Sequence, residues 1–184
     1  MKEVFAKCIP FNNNKKGRIG GNPPILIQNQ VPNEYKFYAT LVHPEKTNKM
    51  LSILIHQNFE TLITNNIYPN IAVKVFEHDF SAESNFNEKS IKDISTASIS
   101  DYKNQLNNDD FPLIRVGGEP VFIQHKDYYY KQLVNDNYSF LLQIDEEGYS
   151  DDLLTGDYPF SYGSLFLYKQ NATGEVIAGF WQYS

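Results

Sequence analysis

Apolar residues along this chain come in short runs, separated by clusters of Asn, Asp, Ser, Gly and Pro, a pattern of strands and turns. Leu141-Leu142-Gln143-Ile144 is nearly continuous apolar sequence, as in a strand covered on both faces. Ile71, Val73 and Val75 alternate with Ala72 and Lys74, which predicts a strand with one wetter face, and Val176–Trp181 predicts another. Helical periodicity is scarce. Asn58–Asn66 can place Phe59, Leu62 and Ile63 on one face, and Lys126–Val134 predicts a second short helix. Glu88–Leu106 carries Ile91, Ile94, Ile99, Tyr102 and Leu106, but among Ser and Thr, which are poor helix formers.

The same order of elements occurs twice. Arg18-Ile19-Gly20-Gly21-Asn22-Pro23 recurs as Arg115-Val116-Gly117-Gly118-Glu119-Pro120. Pro24-Ile25-Leu26-Ile27-Gln28 then answers to Val121-Phe122-Ile123-Gln124, and Tyr35–Leu41 to Tyr138–Ile144. Leu51–Ile55 answers to Leu165–Tyr168, and Ile71–Phe76 to Val176–Trp181. Each copy predicts a Gly-Gly turn, a short strand, and three further strands joined by loops. Gly20, Gly21, Gly117 and Gly118 supply positive φ or a close backbone approach at the turn, and Pro23 and Pro120 suit the first residue of a strand. Arg18 and Arg115 read as parts of the same turn, bonding its carbonyls. A phosphate-cradling loop would need a helix behind it, whereas Pro-Ile-Leu-Ile and Val-Phe-Ile suit strands.

The expected fold is therefore α+β and β-rich: two pseudo-repeated antiparallel β units sharing one core, with few short helices. Residues 1–184 form one domain, with repeat one over about 1–80, a connector over about 81–110 and repeat two over about 111–184. The Ser-, Asn- and Asp-rich connector, Ser81–Asp110, is expected to be partly helical. Each unit alone holds too few strands for independent stability, so the halves complete one another.

Composition strengthens the β reading, since aromatics make up 15% with 13 Tyr and 13 Phe. A net charge of −6 argues against nucleic acid and matches a basic protein partner. No run approaches the roughly 18 apolar residues of a membrane span. Lys2, Glu3 and Lys7 interrupt any signal-peptide core near the start, and a lone Cys8 leaves no intrachain disulfide, so the expected location is cytoplasmic.

Candidate chemistry is sparse. His43, His56, His78 and His125 lack metal-ligand spacing, and Cys8, inside Val4-Phe5-Ala6-Lys7-Cys8-Ile9, reads as a small buried apolar residue. No Gly-x-Ser-x-Gly elbow occurs. The expectation is no catalytic residue, no metal and no cofactor. Asp145, Glu146, Glu147, Asp151, Asp152 and Asp157, however, place six carboxylates between positions 145 and 157, and no Lys or Arg occurs from Gln132 to Tyr168. Tyr149, Tyr158 and Tyr162 sit among them, so these nine residues form the candidate partner-binding set. A plain solvated loop and a calcium loop are the competing readings, although Asp145-Glu146-Glu147-Gly148 departs from EF-hand spacing. Tyr128-Tyr129-Tyr130 is a weaker aromatic candidate, in which at least one ring is expected to be buried.

The paired Arg-x-Gly-Gly-x-Pro segments, Leu141-Leu142-Gln143-Ile144-Asp145, Tyr162-Gly163-Ser164-Leu165-Phe166-Leu167 and Phe180-Trp181-Gln182 resemble the YwqG-like family of bacterial domains of unknown function. The likeness spans Arg18 to Gln182 apart from Ser81–Asp110. It departs where that family has Trp-Gly-Asp and this chain has Phe160-Ser161-Tyr162-Gly163-Ser164. The resemblance implies an internally duplicated α+β fold and a non-enzymatic immunity protein that binds a toxin and covers its active surface. The alternatives are an enzyme or small-ligand protein with a cleft between the repeats, where Arg18 and Arg115 would face each other, or a general interaction module.

Overall fold

A computed structural model describes residues 2–107, 111–150, 152–153, 155–160 and 162–183. In chain order the strands are β1 (Val4–Ala6), β2 (Cys8–Ile9), β3 (Gly17–Ile19), β4 (Tyr35–Val42), β5 (Lys49–His56) and β6 (Val73–Asp79). After them come β7 (Ala97–Ile99), β8 (Ile114–Val116), β9 (Tyr138–Asp145), β10 (Gly163–Gln170) and β11 (Val176–Tyr183). Among the described residues they form two antiparallel sheets, ordered β1-β8-β9-β10-β11 and β2-β7-β3-β4-β5-β6. The one α-helix among those residues, α1 (Lys131–Asn135), follows a 3-10 turn at Asp127–Tyr129. Where Asn58–Asn66 predicts a helix, only a 3-10 turn, Phe59–Thr61, forms.

Alternation along the strands builds one core between the sheets. Leu165 and Leu167 of β10 point inward with Leu51, Ile53 and Ile55 of β5, while Phe166 and Tyr168 pack on the outer face with Phe180. Both faces of β9 are covered at Leu141, Leu142, Gln143 and Ile144, as the continuous apolar run predicts. Aromatic rings cross the layers: Tyr38 of β4 packs on Phe160 at 5.4 Å, Phe160 on Phe59 at 5.3 Å, and Phe59 on Trp181 of β11 at 4.3 Å. Each such ring pair adds about 0.5–1.5 kcal/mol beyond its buried area. At one side of the sandwich the N-terminal strand passes between sheets, since β1 pairs with β8 and β2 with β7. On the other side the chain after β5 reaches across to β11: Trp181 N–H donates to Asn66 O and Tyr68 N–H to Gly179 O.

Each sheet contains a meander, β3-β4-β5-β6 in one and β8-β9-β10-β11 in the other. The registers correspond. Arg18 lies opposite Thr40, which lies opposite Ser52, which lies opposite Phe76. In the other sheet Arg115 lies opposite Gln143, Gln143 opposite Phe166, and Phe166 opposite Phe180. The β4–β5 ladder skips Tyr38 and the β9–β10 ladder skips Leu141, the aligned position.

Two sequence expectations need correction. The short strands predicted after each Gly-Gly pair do not form; strands β3 and β8 precede the glycines instead. In the first half Ser84 N–H donates to Pro23 O and Ile25 N–H to Ala82 O, which draws the segment off the sheet. In the second, buried Gln143 and Gln182 hold 121–124 with their amides, replacing a ladder with side-chain bonds. The 81–110 connector, expected to be partly helical, contributes a 3-10 turn at Asn87–Lys89 and the strand β7, inserted between β2 and β3. Its serines disguise that strand, because Ser98 and Ser100 accept bonds from the Asn12 and Lys7 amides.

Candidate functional site

The acidic segment leaves β9 in a 3-10 turn, Glu146–Gly148. Asp145 fixes that turn: its carboxylate accepts Gln143 Nε2 at 2.8 Å and the Glu147 amide at 3.1 Å. Gly148 is obligatory here, because a Cβ would lie 2.1 Å from Leu113 Cα. Beyond the turn, Ser95 N–H donates to Thr155 O and Thr155 N–H to Ser95 Oγ, so the loop is zipped onto the connector.

The predicted binding residues divide into two groups. Tyr149 and Tyr158, expected on the contact surface, are turned inward, a correction with a clear physical cause. Their rings pack together at 5.3 Å, the Tyr149 hydroxyl meets that of fully buried Tyr38, and the Tyr158 hydroxyl donates to Ser95 O at 2.6 Å. Burial, first of all, pushes the Tyr149 hydroxyl well above its ordinary pKa, so it stays neutral. Glu147, Asp152 and Asp157 point to solvent, and Tyr162 is 74% exposed. Asp151 and the Glu146 side chain lie outside the described residues. Asp157 also borders a groove of about 460 Å³ with Lys36 and Lys92, cations that sequence separation hides.

The two arginines of the Gly-Gly motifs do not meet. Arg18 donates to the carbonyls of Gly20 and Asn22, faces Glu83, and lies over Phe37 at 4.7 Å. Arg115 instead donates to Glu3 Oε1 at 2.6 Å and lies over Phe5 at 5.2 Å. All four glycines take positive φ, and the second of each pair abuts the glutamate that meets the arginine, Gly21 against Glu83 and Gly118 against Glu3. A groove of about 700 Å³ does open at the seam between β6 and β11, but Tyr35, Tyr68, Lys74, Tyr138 and Glu175 line it, and neither arginine does.

Other polar groups are structural. Ser52 Oγ lies 2.8 Å from His78 Nε2, while His78 Nδ1 lies 2.7 Å from Asp79 O. That serine–histidine pair, which no local spacing announces, joins β5 to β6, and the serine is fully buried. Cys8 is buried, and burial pushes its thiol up, away from thiolate chemistry. Tyr129 is buried and Tyr128 exposed, as their triplet predicts. No group of three metal-ligating side chains occurs among the described residues, nor among them is any helix long and apolar enough to cross a membrane.

No protein-family model and no curated protein matches the chain.

Proposed function

We propose that this chain is a non-enzymatic binding protein of the immunity type, which neutralises a toxin by covering its basic active surface with the loop Asp145–Tyr162. The observation that carries this reading is the division of labour within that loop. Tyr158 and Phe160 are buried and Tyr149 is half-buried with its hydroxyl on Tyr38, so Glu147, Asp152 and Asp157 stand on a braced backbone. Carboxylates carried on backbone that is already anchored lose little entropy on binding, and an acidic face on a chain of net charge −6 steers a basic partner toward it.

We further propose that the meanders are diverged copies of one unit and that the chain is YwqG-like. Supporting this are the matched registers, the aligned skipped residues and the arginine–glutamate–glycine contact in each half. The general-module reading would use the same surface without a toxin.

Reversing charge at Asp152→Lys and Asp157→Lys tests the proposal. The variant should associate with the basic partner about tenfold or more slowly at low salt, with a flattened salt dependence. Unchanged affinity and salt dependence would remove the loop from the interface.

A further inference from the structure

A cavity of about 210 Å³ lies on the outer face of the six-stranded sheet. Ile19, Ala39, Leu41, Leu51 and Ile53 face the core, so Arg18, Thr40 and Ser52, opposite one another across β3, β4 and β5, face outward. Arg18, Thr40, Met50 and His78 form the floor, each 9% exposed or less. Two short segments build the rim, and both are tied down. Asn12 N–H donates to Ser98 Oγ and Lys15 N–H to Asn12 O, while on the far side Ile25 N–H donates to Ala82 O and Ser84 N–H to Pro23 O. Phe11 and Phe80 on that rim are about half exposed. The site is thus preformed, with apolar surface left uncovered at its mouth.

The charges around the cavity do not balance. Lys15 pairs with Asp101, and Arg18 faces Glu83. Lys16 has no carboxylate partner among the described residues and lies over the ring of Phe80 at 5.7 Å. One positive charge is left over at the mouth, on a chain whose net charge is −6. On the floor, the Thr40 hydroxyl has no hydrogen-bond partner among the described residues, and buried polar groups are nearly always paired. We propose that this cavity binds a small organic monoanion with an apolar body, such as an aromatic carboxylate, its charge on Lys16 and its body against Phe11, Met50 and Phe80. The volume falls below the roughly 300–1,000 Å³ of clefts for drug-sized ligands, which keeps the guest small. None of the described acidic-loop residues borders the cavity, so the site stands or falls without that reading.

Titrating benzoate into the intact, isotope-labelled chain, with the amide resonances followed by NMR, tests the proposal. Benzoate should shift the amides of 12–16, Thr40 and 80–83 saturably. Benzamide, its uncharged counterpart, should bind about tenfold or more weakly, because a charge-assisted bond is lost. Lys16→Gln should weaken benzoate to the same degree without moving thermal unfolding, since that side chain is exposed. The benzamide comparison uses the unaltered chain, so folding of a variant does not decide it. Shifts that never saturate or fall elsewhere, equal binding of benzamide, or a variant that binds benzoate as before would each overturn the proposal. So would inorganic phosphate binding as tightly as benzoate, which would mean an adventitious ion only.

Discussion

The hydroxyl of Tyr149, on the acidic loop, meets the hydroxyl of Tyr38, on β4 of the opposite sheet. This contact ties the carboxylate-bearing segment to the shared core, and Tyr38 is completely buried beneath it. A surface loop is thereby given an interior anchor.

Removing one partner of that contact should cost more than removing both. Tyr149→Phe leaves the Tyr38 hydroxyl buried and unsatisfied, a loss of about 1–3 kcal/mol. The double variant Tyr38→Phe/Tyr149→Phe should recover part of it, so urea denaturation of the two single variants and the double should show non-additive costs. Strict additivity would mean that the two hydroxyls act independently.

Trp181 is fully buried against Phe59 at the junction of the two sheets. Trp181→Ala should destabilise the fold by about 3–5 kcal/mol, measured by the same denaturation. A loss below 1 kcal/mol, well under the usual cost of such a truncation, would contradict the shared core.

The turn glycines should differ in cost. Gly20→Ala places a Cβ 2.6 Å from Ser95 O, a backbone atom of a residue held by Thr155, at φ +71°. Gly118→Ala, at φ +67°, meets only the end of the Glu3 side chain at 3.0 Å, which can swing aside. Both carry the left-handed penalty of about 1–2 kcal/mol, and Gly20→Ala should lose more than that in thermal unfolding.

Stability should fall on mild acidification. His43 is fully buried, its Nδ1 accepts the amides of Glu45 and Lys46, and its Nε2 lies 3.6 Å from Glu77. Burial lowers its pKa first of all, against the opposing pull of Glu77, and burial likewise lowers that of His78. The unfolded chain therefore takes up protons more readily than the folded one. This contribution is fully present above the ordinary value of 6.5 and is lost as pH falls through it toward the depressed folded values. Urea midpoints taken between about pH 7.5 and pH 5.5 should drop, and His43→Gln/His78→Gln should shallow the slope.

Much of this architecture is legible in the chain, because burial leaves a local trace. The covered run at Leu141–Ile144 and the strands expected around Ile71–Val75 and Val176–Trp181 follow from residue pattern. What escapes is decided by distant partners. Pro24–Gln28 looks like a strand until the chain at 81–84 claims it, and Val121–Gln124 until Gln143 and Gln182 hold it. β7 is hidden by serines whose hydroxyls bond to backbone far away in sequence. The acidic loop was readable as charge, but not the inward turn of Tyr149 and Tyr158, since a tyrosine suits either side of a surface.

The most direct test of the binding proposal is quantitative affinity capture from the native cell, with the unaltered chain and the Asp152→Lys/Asp157→Lys variant run side by side. The account predicts a basic protein enriched by the unaltered chain, released by raised salt, and lost from the variant. Recovery of the same proteins in the same amounts by both would contradict it.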